Sequence, residues 1–391
     1  MQQSTWFTPD GLEDLLPPQA QKLEYYRRKL MDGFHLSGYD LVLPPLAEFT
    51  DSLLTGTARQ LAVDTCRFTD QESGKMMGVR ADMTPQVARI VSNRLKASDT
   101  ISRLCYAGEV LKTRNNKAKG SRSPIQLGAE LFGHAGVESD IEIIELMLES
   151  MQLLNLDNGK LSLGHVGIVD ELISLASLNE IQSAQLIDIL ERKARPEYEQ
   201  FLAEITLPES VSNAFSELLN LCGNATTVIE HAQSCLSSLS PVLKSAIERL
   251  NTVISFLTEV HCNPIHLDLA DIRGYQYHTG IIFACYSADG FLLPICKGGR
   301  YDNIGSDFGL AQPATGFSLD LRVALDLLAP VTPAEKGCVY APSLADSALQ
   351  EKMVELKLSG VQVVKVFDMS ALTSGDQFLS NTGGQWVVEK V

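Results

Sequence analysis

Residues 126–133 read Gln126-Leu127-Gly128-Ala129-Glu130-Leu131-Phe132-Gly133. The run Ile125–Leu131 is strand-like, and it carries one ionisable side chain, Glu130, among apolar neighbours. An unpaired carboxylate placed in such a strand costs several kcal/mol, roughly. Glu130 is therefore expected to meet a donor or a cation, and a binding role is the favoured reading.

Working outward, short strand-like runs recur at Cys66–Thr69, Met76–Arg80 and Ser102–Tyr106, separated by loops rich in Gly, Asn, Lys and Ser. The most basic of these loops is Arg114–Ser123. Upstream, Leu23, Tyr26, Leu30 and Phe34 recur at helical spacing in 17–38, and Gly38 marks the end of that helix. A short strand, Tyr39–Leu43, stops at Pro44 and Pro45. Downstream, Ser139–Leu154 reads as a helix with Ser139 as N-cap, and Leu161–Val169 reads as a strand. From 170 to about 259 the pattern is almost purely helical, broken at Pro196, Pro208, Gly223 and Pro241. Strand signals return at Ile265–Leu269, Ile281–Tyr286 and Phe291–Ile295, the last two as a hairpin through Ala288–Gly290. Residues 311–328 pass from strand into helix, and Pro330 and Pro333 mark a linker. Beyond it, strands at Cys338–Tyr340, Val361–Val366 and Gln385–Val388 enclose a helix at Asp346–Leu358, a small α/β module.

Composition narrows the classes of function. Lys plus Arg number 32 against 48 Asp plus Glu, a net charge of −16, which disfavours a polyanion partner. No apolar run is long enough for a membrane helix, and the first ten residues do not read as a signal peptide. The eight cysteines stand singly, with no CxxC pair and no histidine at metal-ligand spacing, so reduced thiols, no metal and a cytoplasmic location are expected.

Six segments, in order, resemble the histidyl-tRNA synthetase family. They are Gly38–Tyr39 with Pro45–Glu48; Val79–Thr84; Arg103–Gly108; Gln126–Gly133; Ile272–Gly280 (IRGYQYHTG); and Lys297–Asp302 (KGGRYD). The resemblance spans roughly residues 5–328. It implies an α+β fold with a class II aminoacyl-tRNA synthetase-like antiparallel sheet flanked by helices. Residues 1–169 and 262–329 would form the core, 170–261 a helical insertion, and 335–391 the small terminal module.

A free histidine offers an ammonium, a carboxylate and an imidazole, so its pocket needs carboxylates, a guanidinium and a hydrogen-bonding edge. By the resemblance, Asp82, Thr84 and Gln126 match the positions that hold the ammonium. Glu130 and Tyr277 match those that read the imidazole, with His278 in place of the family's second loop tyrosine. Arg273 matches the cation beside the carboxylate. Four of these have a plainer role open to them: Thr84 and Gln126 in turn and sheet hydrogen bonds, Asp82 or Thr84 as a helix N-cap, Tyr277 in packing.

Two arginines grip ATP in the synthetases, and neither is kept. Aligned without a gap, the second motif gives Leu111–Lys112–Thr113–Arg114, placing Lys112 for the arginine and Arg114 for the glutamate that reads adenine. The third motif gives Asp320–Leu321–Arg322–Val323, with Val323 for the arginine and Asp320 for a glycine. Loss of one such contact costs about 2.7–4 kcal/mol of transition-state stabilisation. The terminal module is smaller than the family's anticodon-binding domain, and its basic residues are only Lys336, Lys352, Lys357, Lys365 and Lys390. A branch of the family with these features pairs with the short catalytic subunit of ATP phosphoribosyltransferase as its regulatory subunit. The resemblance thus implies a self-dimer, a hetero-octamer with that partner, histidine as effector and no cofactor. A divergent active synthetase is the alternative.

Overall fold

The computed structural model describes residues 8–55, 61–95, 100–114, 121–261, 264–272, 278–288, 293–331 and 338–391. These fall into two compact units, 1–329 and 330–391. In the first, helix α1 (Gln19–Leu36) buries Leu23, Tyr26, Leu30 and Phe34, the stripe its spacing predicts. Strand β1 (Asp40–Leu41) follows, then β2 (Ala47–Phe49), α2 (Thr50–Leu53), β3 (Arg67–Thr69) and β4 (Met76–Val79). Strands β2, β4 and β3 make a small antiparallel sheet. Its β4 runs into helix α3 (Thr84–Ile90).

Strands β5 (Ser102–Glu109) and β6 (Ile125–Phe132) pair antiparallel, and every residue of β6 is buried. Helix α4 (Val137–Leu153), strand β7 (Lys160–His165) and helix α5 (Val166–Leu175) come next. The helix expected from Ser139 begins earlier, with Gly136 at its N-cap. Ser139 lies inside the first turn, where its hydroxyl donates to the carbonyls of His134 and Gly136. The strand expected over 161–169 ends at His165, where the apolar run turns into α5. A fully apolar run fits a buried helix as well as a buried strand, and periodicity does not separate them.

Helices α6 (Glu180–Glu191), α7 (Arg195–Glu204) and α8 (Glu209–Leu218) follow, then strand β8 (Cys222–Asn224) and helices α9 (Ala225–Cys235) and α10 (Pro241–His261). The stretch is thus not purely helical: β8 pairs antiparallel with β9 (Ile265–Asp268) at the edge of the large sheet. Strands β10 (Ile281–Tyr286), β11 (Pro294–Arg300) and β12 (Ala314–Asp320) and the short helix α11 (Leu321–Ala324) complete the unit. The return strand of the expected hairpin starts at Pro294; residues 289–292 lie outside the described residues. The nine-stranded order is β1-β5-β6-β12-β11-β10-β7-β9-β8, antiparallel except for β1 with β5 and β7 with β9. Within this order β6 lies between β5 and β12 and is the strand buried along its whole length.

The second unit orders β13 (Val339–Pro342), α12 (Ser347–Leu358), β14 (Val363–Val366), β15 (Gln377–Thr382) and β16 (Gln385–Lys390) into a sheet β14-β13-β15-β16. Its core is Val339, Ala341, Leu349, Met353 and Leu379. Strand β15 is the element that composition hides, because Gln377, Ser380 and Asn381 dilute its apolar residues.

Candidate functional site

Gln126, Gly128 and Glu130 are two residues apart along β6, so all three face the same side of the sheet. Gly128 pairs with Tyr106 on β5, and a Cβ at Gly128 would lie 2.5 Å from the Tyr106 hydroxyl. Glu130 pairs with Gly316 on β12, and a Cβ there would lie 1.6 Å from Glu130 Oε2. The two glycines thus open the space into which one phenol and one carboxyl fold. Around them, Met83, Val87, Leu104, Tyr106, Phe132 and Tyr301 form an apolar cluster that excludes water.

Glu130 is 1% exposed and is met by three hydroxyls. Thr84 Oγ1 and Tyr106 OH each donate to Oε1 at 2.9 Å, and Tyr301 OH donates to Oε2. Burial pushes the Glu130 carboxyl up to about 8, while the hydroxyls of Tyr301, Thr84 and Tyr106 pull it back. The same burial raises the Tyr106 phenol well above its ordinary range, so it stays a donor.

Beside this carboxyl, Gln126 bridges two elements. Its Oε1 accepts from the Met83 N–H at 2.9 Å, and its Nε2 donates to Asp82 Oδ1 at 3.0 Å. Asp82 Oδ1 also accepts the Thr84 N–H at 3.0 Å, holding the turn from β4 into α3. Among the described residues Asp82 Oδ2 takes no hydrogen bond, and Asp82 is only half-buried, so that oxygen is available to a cation. Buried Arg80 fastens the turn from behind: its Nε donates to the Glu109 carbonyl and its Nη1 to that of Pro44, both at 2.9 Å.

Asp82, Thr84, Gln126 and Glu130 are therefore brought together; Asp82 and Gln126 also hold the turn, while neither Asp82 nor Thr84 is the N-cap of α3, a place taken by Met83 without a side-chain cap. His278 stands nearby, its ring 6.4 Å from that of Tyr301 in an edge-on contact and packed over Gly299. Arg273 and Tyr277 lie outside the described residues. Tyr106 and Tyr301 are site residues that the sequence reading passed over. The signal was available: a carboxyl buried in an apolar strand requires donors, and both tyrosines sit in segments already singled out.

Arg300, in the KGGRYD segment, serves the frame instead. Its Nε donates to Asp140 Oδ1 at 2.9 Å, its Nη1 to Asp302 at 2.9 Å and its Nη2 to Ser139 Oγ at 2.7 Å. Arg249 of α10 donates to the other oxygen of Asp140 at 2.6 Å.

On the other side of Gln126 lies Asp320, with Lys112 near it, from the two segments aligned above with the ATP-gripping motifs. Asp320 pairs with Gln126 across β12 and β6 and caps α11, accepting from the N–H groups of Arg322 at 3.0 Å and Val323 at 3.4 Å. Burial raises its carboxyl, partly offset by these N–H groups and by Lys112. Lys112 pairs with Thr65 in an isolated bridge and donates its N–H to the Arg122 carbonyl at 2.7 Å. Arg322 Nη1 donates to the Glu13 carbonyl at 3.0 Å. Its guanidinium is thus committed to the segment before α1.

A family model described as histidyl-tRNA synthetase matches residues 11–324. An ATP phosphoribosyltransferase regulatory subunit from Hydrogenovibrio crunogenus is 58% identical over 99% of this chain and 99% of its own length. The chain belongs to the ATP phosphoribosyltransferase regulatory subunit family. A second member, from Thioalkalivibrio sulfidiphilus, is 42% identical over 98% of both chains. A solved structure from Bacillus halodurans, described as an ATP phosphoribosyltransferase regulatory subunit/histidyl-tRNA synthetase, superposes with a TM-score of 0.81. It is 25% identical and covers 95% of this chain and 96% of its own. A histidyl-tRNA synthetase from Nostoc, at 17% identity and a TM-score of 0.75, shares the fold, covering 94% of this chain and 87% of its own. This regulatory subunit family therefore carries the class II fold here, as the segment order implied, and no helix among the described residues is long and apolar enough to cross a membrane.

Proposed function

We propose that this chain is a catalytically inactive, histidine-sensing regulatory subunit that activates the short catalytic subunit of ATP phosphoribosyltransferase and transmits feedback inhibition to it. The observation that carries the proposal is the hydrogen-bonded chain Gln126–Asp82–Thr84–Glu130, beside Asp320. The first end offers the Asp82 carboxylate and the Gln126 amide to an amino-acid cation. The second sets a carboxylate next to the place where the phosphates of ATP would lie, which repels them. In this reading Asp82, Thr84 and Gln126 hold the ammonium, Glu130 reads the imidazole with Tyr277 and His278, and Arg273 meets the carboxylate.

Histidine must bind the inhibited assembly more tightly than the active one, a coupling of about 1–3 kcal/mol. The same reading takes the chain as a cytoplasmic self-dimer within a hetero-octamer, with no cofactor, no membrane and no nucleic acid. It divides the first unit into a core, 1–169 and 262–329, and a helical insertion, 170–261, ahead of the module at 335–391. Support for the dimer is the exposed apolar set Leu41, Leu43, Leu46, Phe49 and Phe68, of which Phe49 and Phe68 both flank Met77 across the small sheet.

Calorimetry of histidine binding to the purified chain tests the pocket. Asp82→Asn keeps the acceptor oxygen and removes the charge, so affinity should fall about tenfold or more. Equal affinity in that variant would place histidine elsewhere. Histidine-dependent exchange of pyrophosphate into ATP should be absent, and its presence would make the chain an active synthetase.

A further inference from the structure

Strand β8 is the outermost strand of the large sheet, six strand spacings from β6, roughly 29 Å away. Cys222 on β8 pairs directly with Asp268 on β9, and His266 lies two residues before Asp268. Directly opposed residues, and residues two apart on one strand, share a face of the sheet, so all three donors stand together. Cys222 Sγ lies 3.5 Å from His266 Nε2, and the sulfur, a ring nitrogen and a carboxylate oxygen all lie within 4.8 Å of one another.

That spacing has chemical meaning. With a metal–sulfur bond of about 2.3 Å and a metal–nitrogen bond of about 2.0–2.1 Å, the S···N edge of a tetrahedron is about 3.5 Å. A thiolate, an imidazole and a carboxylate are also the donor set that a borderline-soft divalent ion takes. We propose that Cys222, His266 and Asp268 form a three-ligand site for a divalent transition metal of the zinc class, with its fourth position open to the adjoining cavity. That cavity has a volume of about 470 Å³, and its walls include His266, Asp268, Lys193, Glu191, Ser162 and Tyr286. A three-ligand site opening on such a space admits water or a small anionic ligand at the metal.

Lys193 shows what holds the carboxylate meanwhile. Its Nζ donates to both oxygens of Asp268, at 3.1 and 2.8 Å, and to the Ala270 carbonyl at 2.8 Å. The ammonium neutralises Asp268 and fixes its orientation. Metal entry displaces it from one oxygen while the bond to Ala270 persists, and the thiol proton of Cys222 passes to solvent. Lys193 therefore competes with the metal, and its removal should tighten binding. Nothing in the linear spacing announces such a site, because its donors come from strands 44 residues apart.

The full chain, reduced and stripped of metal with a chelator, is titrated with Co²⁺ and then with Zn²⁺. The expected result is one Co²⁺ per chain, with the visible bands of a tetrahedral ion and a near-ultraviolet thiolate-to-cobalt band that Zn²⁺ abolishes. Cys222→Ser should lose that band, His266→Gln should weaken binding about tenfold or more, and Lys193→Gln should strengthen it. Cys222 and His266 are exposed, so these variants keep the fold. Absence of the thiolate band in the unsubstituted chain, or an unaltered band in Cys222→Ser, would overturn the site.

Discussion

Glu130 has no water to meet and three hydroxyls that meet it, and this balance sets its behaviour with pH. Its folded-state value near 8 lies above the ordinary glutamate value of about 4.3. The neutral carboxyl's contribution to stability is therefore complete below about pH 4 and lost as pH rises through about 8. Glu130→Gln keeps the shape without the charge. Thermal melts should show the variant gaining on the unsubstituted chain between pH 5 and pH 8, by about 3 °C or more. A difference that stays constant across that range would mean the carboxyl is stably ionised. The residue also shows what a sequence discloses. Glu130 stood out because a charge in an apolar strand demands a reason. Tyr106 and Tyr301 did not, because a tyrosine in a core needs none, and only the pairing of β5 with β6 and of the end of β11 with β12 reveals where their hydroxyls point.

Elements meet at Asp140, where α4, α10 and β11 are joined by one fully buried carboxylate between Arg300 and Arg249. Burial raises the carboxyl, and the two guanidiniums oppose the rise. Removing the acid leaves two cations facing each other at a buried junction. Asp140→Asn should lower the free energy of unfolding in urea by about 3–5 kcal/mol; a loss below about 1 kcal/mol would show that the helices hold the sheet without it. Element boundaries were legible where spacing was periodic, as in α1, and illegible where the chain changes period inside an apolar run, as from β7 into α5. Strand β8 stayed hidden because three residues between two helices carry no period at all. Arg300, in the KGGRYD segment, is spent on joining elements.

The whole molecule combines an acidic total with a class II sheet. The order of six short segments made this architecture legible in the sequence, with Arg103–Gly108 falling on β5 and Gln126–Gly133 on β6. The self-association surface proposed above was not legible, because exposed residues such as Phe49 and Phe68 come together only in the small sheet, on either side of Met77. At this scale the central claim is that amino-acid binding has been kept to govern another enzyme's rate. The most direct measurement mixes the purified chain with the short catalytic subunit and follows phosphoribosyl transfer from phosphoribosyl pyrophosphate to ATP while histidine is added. The account predicts no transfer by the chain alone, a rate in the mixture well above that of the catalytic subunit alone, and inhibition by histidine that Asp82→Asn shifts to about tenfold higher concentration or more. A mixture no faster than the catalytic subunit by itself would contradict it.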